Sequence, residues 1–194
     1  MDMKDFYKQF CEEGFDENGV LNYFKVTASE SFNFAYDVVD KWAEEAPDKP
    51  ALLWTNENGN ERQFSFADMK EYSDRTASFF QSLGIGKGDK VMLILKRRYQ
   101  FWFSILALHK LGAACIPATH LLTAKDIIYR CNAAKIKAIV AVGEDVVVNH
   151  IVKALPECPT VECCVSTGPD VPEGWHDFDS GIASALPFAR PLRP

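Results

Sequence analysis

The stretch of residues 83–122 constrains the fold of this chain more than any other part of the sequence. Residues 91–95 (VMLIL) form a continuous apolar run of strand length, and residues 113–116 form a second one. Between them, residues 99–111 carry apolar side chains at helical spacing. Two apolar strands joined by a helix predict a β-α-β unit buried in a parallel sheet. The right-handed crossover then places the helix on one face of that sheet.

The rest of the chain extends this unit into a larger sheet. From residue 50 onward the predicted elements follow the order β-β-α-β-α-β-α-β-α-β. The first two strands flank a turn at residues 56–60 and predict an antiparallel hairpin. The remaining elements predict an α/β fold with a doubly wound, mostly parallel sheet and helices on both faces.

The sequence divides into three predicted regions. Residues 1–31 are polar with scattered aromatic side chains, and the spacing of Phe6, Tyr7 and Phe10 predicts an N-terminal helical extension. Residues 32–186 form the α/β subdomain, which begins with a helix. Residues 187–194 are rich in proline and predict an extended, mobile tail.

Composition and charge exclude several classes of protein. The chain has 194 residues, of which 47% are hydrophobic and 25% are charged, as in ordinary globular domains. A net charge of -6 without a basic block gives no reason to expect a nucleic acid or membrane partner. No apolar run approaches the ~20 residues of a membrane span. The acidic N-terminus resembles neither a secretory signal nor a transit peptide, so we expect a cytoplasmic protein.

The cysteines predict free thiols rather than a metal site or disulfides. None of them forms a C-x-x-C pair, and those near His150 do not have the spacing of a common zinc module. We therefore expect no metal ligands in this chain and a reducing environment. The six cysteines are Cys11, Cys115, Cys131, Cys158, Cys163 and Cys164.

The glycine-rich segment of residues 84–89 (GIGKGD) is the obvious candidate for a phosphate-binding loop. Phosphate loops follow a strand and precede a helix, whose N-terminal amides then point at the anion. Here the order is helix, glycines, strand, so exposed carbonyl groups would face the phosphate. We interpret Gly84 as the residue that ends the helix.

Two other segments follow predicted strands, at the end where doubly wound sheets bind ligands. Residues 96–98 (KRR) either contact an anion or form a solvated basic turn. Thr119, His120 and Leu121 follow the second strand of the central unit, where they either belong to a site or cap the next helix. We find no acid or nucleophile paired with His120 and expect no catalytic residue in the chain.

Five segments in unbroken order resemble adenylate-forming enzymes. Residues 109–122 (HKLGAACIPATHLL) are similar to an early segment of that family with the pattern x-K-x-G-A-x-x-x-P, and residues 63–93 resemble the segment before it. Residues 32–44, 95–106 and 137–145 are similar to the medium-chain acyl-CoA synthetase branch, including its acetyl-CoA-synthetase-like members. The resemblance covers residues 32 to about 186.

The resemblance implies part of an ATP-dependent acyl-CoA synthetase. Such enzymes use ATP and Mg²⁺ to convert a carboxylic acid into an acyl-adenylate, and coenzyme A then displaces AMP. The family's phosphate loop, ribose-binding Asp and catalytic Lys have no counterpart here, so we expect an N-terminal piece that is inactive alone and binds none of these cofactors by itself.

By position, the resemblance places Thr119, His120, Leu121, Gly143 and Glu144 near the coenzyme A path. It also implies that the face toward the rest of the large domain is exposed and favours self-association. Two alternatives stay open at this point. One is a non-catalytic α/β binding domain, and the other is an adenylation domain that loads a carrier protein.

Overall fold

A computed structural model describes residues 3–190 of the chain. Short 3-10 helices lie at Tyr7–Gln9 and Leu155–Glu157, and a π-helical segment lies at Ala35–Asp40. In chain order the strands and α-helices are α1 (Met3–Phe6), β1 (Cys11–Phe15), β2 (Leu21–Val26), α2 (Lys41–Glu45), β3 (Pro50–Thr55), β4 (Glu61–Ser65), α3 (Phe66–Ser82), β5 (Lys90–Ile94), α4 (Gln100–Leu111), β6 (Ala114–Pro117), α5 (Ala124–Ala134), β7 (Ala138–Val142), α6 (Asp145–Ala154), β8 (Cys163–Thr167), β9 (His176–Asp177) and α7 (Phe178–Ser184).

The centre of the fold is a five-stranded parallel sheet in the order β6-β5-β7-β8-β9. The chain crosses from β5 to β6 in one direction and then returns past β5 to reach β7. Right-handed crossovers in opposite directions put α4 on one face and α5 and α6 on the other. Helices α3, α4 and α7 accordingly pack together, and α5 packs with α6. The β3–β4 hairpin is antiparallel, so the predicted fold class is confirmed.

The two central strands are buried on both faces because helices cover both sides of the sheet. Every residue from 91 to 95 is at most 1% exposed, and every residue of β7 is completely buried. The apolar runs at residues 91–95 and 138–142 therefore form the innermost strands, as predicted. The run at residues 113–116 was also predicted to be buried, but it forms the edge strand β6, whose residues are exposed or only half-buried.

Helix ends follow the turn chemistry of the sequence. At the start of α3, the amide of Asp68 donates to the Ser65 hydroxyl at 3.1 Å, and the Asp68 carboxylate accepts the Ser65 amide at 2.8 Å. At the start of α5, the Asp126 carboxylate accepts the Thr123 amide at 2.9 Å. These reciprocal bonds satisfy amides that have no partner inside the helix, as the sequence predicted.

The predicted helical extension of residues 1–31 is wrong for most of its length. Only Met3–Phe6 and Tyr7–Gln9 are helical, and an antiparallel hairpin of β1 and β2 follows. The Asp16 carboxylate accepts the amides of Asn18 and Val20 at 2.9 Å and closes the turn. The spacing of the first aromatic residues gave no information about this later turn.

The predicted tail belongs only in part to the described structure. Residues 187–190 have no regular secondary structure, and the Arg190 guanidinium lies 4.3 Å from the ring centre of Tyr36. Residues 191–194 of the tail, like residues 1–2 of the extension, lie outside the described residues.

A buried ion-pair network joins α3, α4 and the π-helical segment. The Lys110 ammonium group on α4 is completely buried and lies 2.9 Å from Asp40 and 2.6 Å from Asp74. Asp74 on α3 also accepts from Lys70 at 2.7 Å, and Lys70 is partly exposed. Because a buried charge is costly without a partner, this network fixes the position of α4 against α3 and the π-helical segment.

Helix α7 covers α3 on the same side of the sheet. The Phe178 ring is completely buried and makes edge-to-face contacts with Phe79 and Phe80. Gly181 lies so close to α3 that a β-carbon there would stand 2.4 Å from the Phe79 ring. The Arg75 guanidinium of α3 donates to the carbonyl of Ala185 at 3.0 Å, just after α7.

Candidate functional site at the carboxyl edge of the sheet

The strand order predicts a ligand site at the carboxyl ends of β5 and β7. The chain leaves these neighbouring strands toward opposite faces, which opens a crevice where doubly wound proteins of this strand order bind ligands. Residues 95–99 follow β5 at this edge, and residues 143–144 follow β7. Two of the segments predicted from sequence therefore meet at one point.

The basic segment after β5 is neutralised by a carboxylate from the loop after β7. The Lys96 ammonium group donates to Glu144, and the Arg98 guanidinium lies 3.6 Å from the same carboxylate. The hydrogen bond from Lys96 is the largest cause of a lowered pKa of the Glu144 carboxyl. Lys96 itself has a φ of 48°. Lys96 and Arg98 are thus paired with a carboxylate of the protein itself. This arrangement differs from both alternatives considered for residues 96–98, which were contact with a bound anion and a solvated basic turn.

Gly143 allows the backbone after β7 to approach the end of β8. Its amide donates to the carbonyl of Thr167 at 2.9 Å. A β-carbon at Gly143 would stand 2.2 Å from the carbonyl oxygen of Asp170 and 2.7 Å from the Ser166 hydroxyl. Only a residue without a side chain fits there without a shift of the loop.

The structure places Thr119, His120 and Leu121 after β6, at the same edge of the sheet. The Leu121 amide donates to the Thr119 hydroxyl at 3.3 Å, and the Leu121 side chain is 75% exposed. Strand β5 separates this loop from Gly143 and Glu144, because β6 and β7 pair with opposite sides of β5. The two halves of the predicted site thus flank one strand.

The glycine turn of residues 84–88 lies at the opposite, amino edge of the sheet. The amide of Ile85 donates to the Phe80 carbonyl at 3.0 Å, and that of Gly84 donates to Gln81 at 2.9 Å. Together with a φ of 81° at Gly84, these bonds form a Schellman motif that ends α3. The interpretation of this turn as a helix end is confirmed.

Sequence reasoning missed a cavity of about 450 Å³ beside the crevice. It lies between the β3–β4 hairpin, the start of α4, the end of β8 and the first turn of α7. The strand order predicts a cavity after β5 and β8, but nothing in the sequence indicates that the β3–β4 hairpin forms part of its wall. Its lining includes Trp54, Arg98, Tyr99, Gln100, Thr167 and Asp179.

The remaining candidate groups have no arrangement that points to catalysis. All six cysteines are free thiols, and burial raises the pKa of Cys115 to about 11. Burial also lowers the pKa of His109, whose ring packs edge-to-face on Phe34. Within residues 3–190, no group of three His, Cys, Asp or Glu side chains could hold a metal ion. No helix in this range is long and apolar enough to cross a membrane.

Comparison with known proteins gives consistent matches in sequence. The sequence model of the family described as AMP-binding enzyme matches residues 39–189. The human mitochondrial acyl-coenzyme A synthetase ACSM1 is 35% identical over 164 residues, which cover 81% of this chain and 28% of that protein. The mouse mitochondrial acyl-coenzyme A synthetase ACSM4 is 34% identical over 176 residues, which cover 88% of this chain and 30% of that protein.

Solved structures show the same fold at lower sequence identity. An acyl-CoA synthetase from Brucella canis superposes with a TM-score of 0.71 at 22% identity, over 83% of this chain and 29% of its own. A benzoate CoA ligase from Burkholderia xenovorans gives a TM-score of 0.68 at 21% identity, over 82% and 30%. The chain thus spans less than a third of the length of these relatives.

Proposed function

Because this chain belongs to the AMP-binding enzyme family, we propose that it forms the N-terminal part of an AMP-forming acyl-CoA synthetase. The observation that carries the proposal is the family match over residues 39–189. The named relatives at 34–35% identity are acyl-coenzyme A synthetases, which favours this branch of the family. The complete enzyme would join a carboxylic acid to coenzyme A and split ATP into AMP and pyrophosphate.

The chemistry requires a carboxylate to attack the α-phosphate of ATP, followed by attack of the coenzyme A thiol on the acyl-adenylate. ATP supplies the activated phosphate, and Mg²⁺ would neutralise its charge. The described residues do not fit these groups, since they offer no metal-binding cluster and the cations at the crevice are paired with Glu144. We therefore assign the triphosphate and metal contacts to a region of the enzyme outside this chain.

We assign to this chain a structural role and one wall of the coenzyme A path. Thr119, His120 and Leu121 on one side of β5, and Gly143 and Glu144 on the other, stand at the carboxyl edge that a ligand would approach. The exposed Leu121 side chain suits the methyl and methylene groups of the pantetheine arm of coenzyme A. In the complete enzyme, Leu121→Asp should raise the KM for coenzyme A and leave pyrophosphate exchange unchanged. An unchanged KM would remove Leu121 from this path.

Exchange of labelled pyrophosphate into ATP tests the function directly. The complete enzyme should catalyse this exchange with a short or medium-chain carboxylic acid, and adding coenzyme A should yield the acyl-CoA. The 194-residue chain should show no exchange under the same conditions. Exchange by the short chain would refute its inactivity. Product formation only on a carrier protein, or no exchange by the complete enzyme, would refute the acyl-CoA synthetase assignment.

The domain limits, compartment and assembly belong to the same proposal. We propose that residues 32–186 form the α/β subdomain and that residues 187–194 lead toward the nucleotide-binding part. The sequence favours the cytoplasm, whereas ACSM1 and ACSM4 carry the description mitochondrial, and fractionation of cells with an antibody would decide between them. The face toward the rest of the large domain would be exposed in the isolated chain and would favour self-association. Light scattering at rising concentration should show dimers or larger species, and a monomer throughout would contradict this.

A further inference from the structure

The cavity beside the crevice has a buried polar floor and an exposed rim. Gln100 and Thr167, which line it, are 5% and 1% exposed, whereas Glu61 and Asp179 at its rim are exposed. We propose that this cavity is a binding site for a neutral, polyhydroxylated ligand such as a sugar ring. The site goes beyond the proposed synthetase function and does not depend on it.

Two unpartnered atoms in the floor indicate what a ligand must offer. Within residues 3–190, the Gln100 side-chain oxygen and the Thr167 hydroxyl are buried and have no hydrogen-bond partner. The Gln100 side-chain nitrogen donates to the Asp179 carboxylate at 3.3 Å, and since a carboxylate only accepts, this bond identifies which amide atom is the nitrogen. The free oxygen of Gln100 therefore needs a donor, and the Thr167 hydroxyl can both donate and accept. Two adjacent hydroxyl groups on one ligand meet both requirements.

Both floor atoms are buried, so the proposed binding requires a side-chain movement. In the proposed complex, a turn of the Gln100 side chain exchanges its 3.3 Å bond to Asp179 for contact of the amide oxygen with the ligand. The cost of leaving a buried polar atom without a partner favours that turn once a ligand hydroxyl is present. The 450 Å³ volume is within the range of small-molecule sites.

The charges around the cavity argue against an ionic ligand. Arg62 and Arg98 balance Glu61 and Asp179 among the lining residues. Arg98 is also close to Glu144, and the Arg62 guanidinium donates to the Tyr99 hydroxyl at 2.9 Å. The charged groups of the lining thus balance in sign, and Arg62, Arg98 and Asp179 already have partners inside the protein. A neutral ligand matches this lining better than a phosphate or an ammonium ion.

An aromatic wall completes the site. The Trp54 indole nitrogen donates to the carbonyl of Arg97, and the ring meets Tyr99 edge-to-face at 5.3 Å. These contacts hold Trp54 at the cavity through the β3–β4 hairpin. An aromatic surface beside amide, carboxylate and hydroxyl groups suits a ring that carries C–H groups on one face and hydroxyls at its edge.

The test is an NMR titration of the ¹⁵N-labelled 194-residue chain with methyl β-D-ribofuranoside, which carries two adjacent hydroxyl groups. Saturable shifts should appear at the Thr167 and Gly168 amides and at the Gln100 side-chain amide. Methyl 2-deoxy-β-D-ribofuranoside, which lacks one of the two hydroxyls, should bind about tenfold more weakly. Sodium sulfate and methylammonium chloride are the anionic and cationic comparisons.

Variants connect the binding to the two floor atoms. Gln100→Met and Thr167→Val keep side-chain size and should each weaken binding about tenfold. Gln81→Met is the matched control, because Gln81 is exposed near the end of α3 and does not line the cavity, so this variant should bind as the unchanged protein does. The dispersion of each spectrum reports folding, and if one floor variant fails to fold, the other still supplies the comparison.

Several results would overturn the proposal. These are the absence of saturable shifts with either glycoside, shifts confined to residues away from the cavity, and tighter binding of sulfate or methylammonium at the same residues. Undiminished binding by a folded floor variant would also refute it. Each of these outcomes is independent of pyrophosphate exchange, so failure of this site and failure of the synthetase assignment are distinguishable.

Discussion

Replacing Lys110 with methionine removes the central charge of the buried ion-pair network. Methionine keeps most of the volume and the apolar stem, so the change acts chiefly on charge. In the unchanged protein the Lys110 ammonium group lies 2.9 Å from the Asp40 carboxylate and 2.6 Å from the Asp74 carboxylate. The variant leaves these two buried carboxylates without the ammonium group between them. Asp74 retains its partner Lys70 at 2.7 Å, whereas Asp40 loses the ammonium group.

Removing one partner of a buried ion pair typically costs about 3–5 kcal/mol. Because Lys70 still compensates Asp74, we expect the lower end, a loss of about 3 kcal/mol in the free energy of unfolding. With a urea dependence of about 2 kcal/mol/M for a domain of this size, the midpoint of unfolding should fall by about 1.5 M. Circular dichroism during urea titration measures this shift.

The pH dependence of the loss separates an electrostatic cause from lost packing. Burial is the largest cause of a raised pKa of the Asp40 carboxyl, and Lys110 opposes that effect. Without Lys110 the pKa of Asp40 in the folded state should rise further above its unfolded value. The folded state then binds more protons than the unfolded state, so stability falls as pH rises through this window. The deficit of the variant should therefore be smaller at about pH 5 than at about pH 8.

Two comparison variants control this experiment. Lys153→Met changes an exposed lysine on α6 and should alter the unfolding free energy by no more than about 0.5 kcal/mol. Asp40→Asn combined with Lys110→Met should recover much of the loss, because it removes the unpaired carboxylate. A cost below about 1 kcal/mol for Lys110→Met, or a cost that does not vary with pH, would refute the electrostatic role.

Three further predictions concern stability. Gly143→Ala should lower the unfolding free energy by about 2 kcal/mol, since its β-carbon would meet a backbone oxygen at 2.2 Å, whereas Gly86→Ala, with open space around it, should stay within about 0.5 kcal/mol in the same thermal melts. Ser65→Ala should cost about 1 kcal/mol in urea unfolding through loss of the α3 cap, and no measurable change would contradict the role of that cap. The pKa of Glu144 is lowered in the folded state, so its ionised carboxylate stabilises the fold at pH values above the pKa of the unfolded state, and this contribution disappears in acid. Glu144→Gln should therefore cost only about 0.5 kcal/mol at neutral pH, and its stability should approach that of the unchanged protein as pH falls. A difference in melting temperature that persists in acid would contradict this last prediction.

Local patterns predicted the central sheet well because each carries its own physical cause. Apolar runs at residues 91–95 and 138–142 can be buried only between two helical layers. Gly84 and Gly112 stop their helices with φ values of 81° and 71°, which residues with side chains seldom adopt. The sequence was also sufficient to reject the glycine turn as a phosphate loop, because the order of elements decides that question.

Features that depend on distant parts of the chain could not be predicted in this way. Lysine side chains on helices are normally exposed, but Lys110 is buried because it pairs with carboxylates from residues 40 and 74. The cavity combines Trp54 on an early hairpin with Asp179 near the end of the described chain. Only the folded topology brings such residues together, so periodicity and spacing contain no signal for them.

The contact of α7 with α3 also has a consequence for the order in which the protein matures during synthesis. Phe79 and Phe80 on α3 are translated about a hundred residues before Phe178 and Gly181, which cover them. At about 5–20 residues per second, this interval lasts between five and twenty seconds or so. Throughout that time the nascent chain presents an uncovered aromatic surface. A chaperone that binds aromatic segments on the ribosome would find its target here, and it would be displaced when α7 emerges.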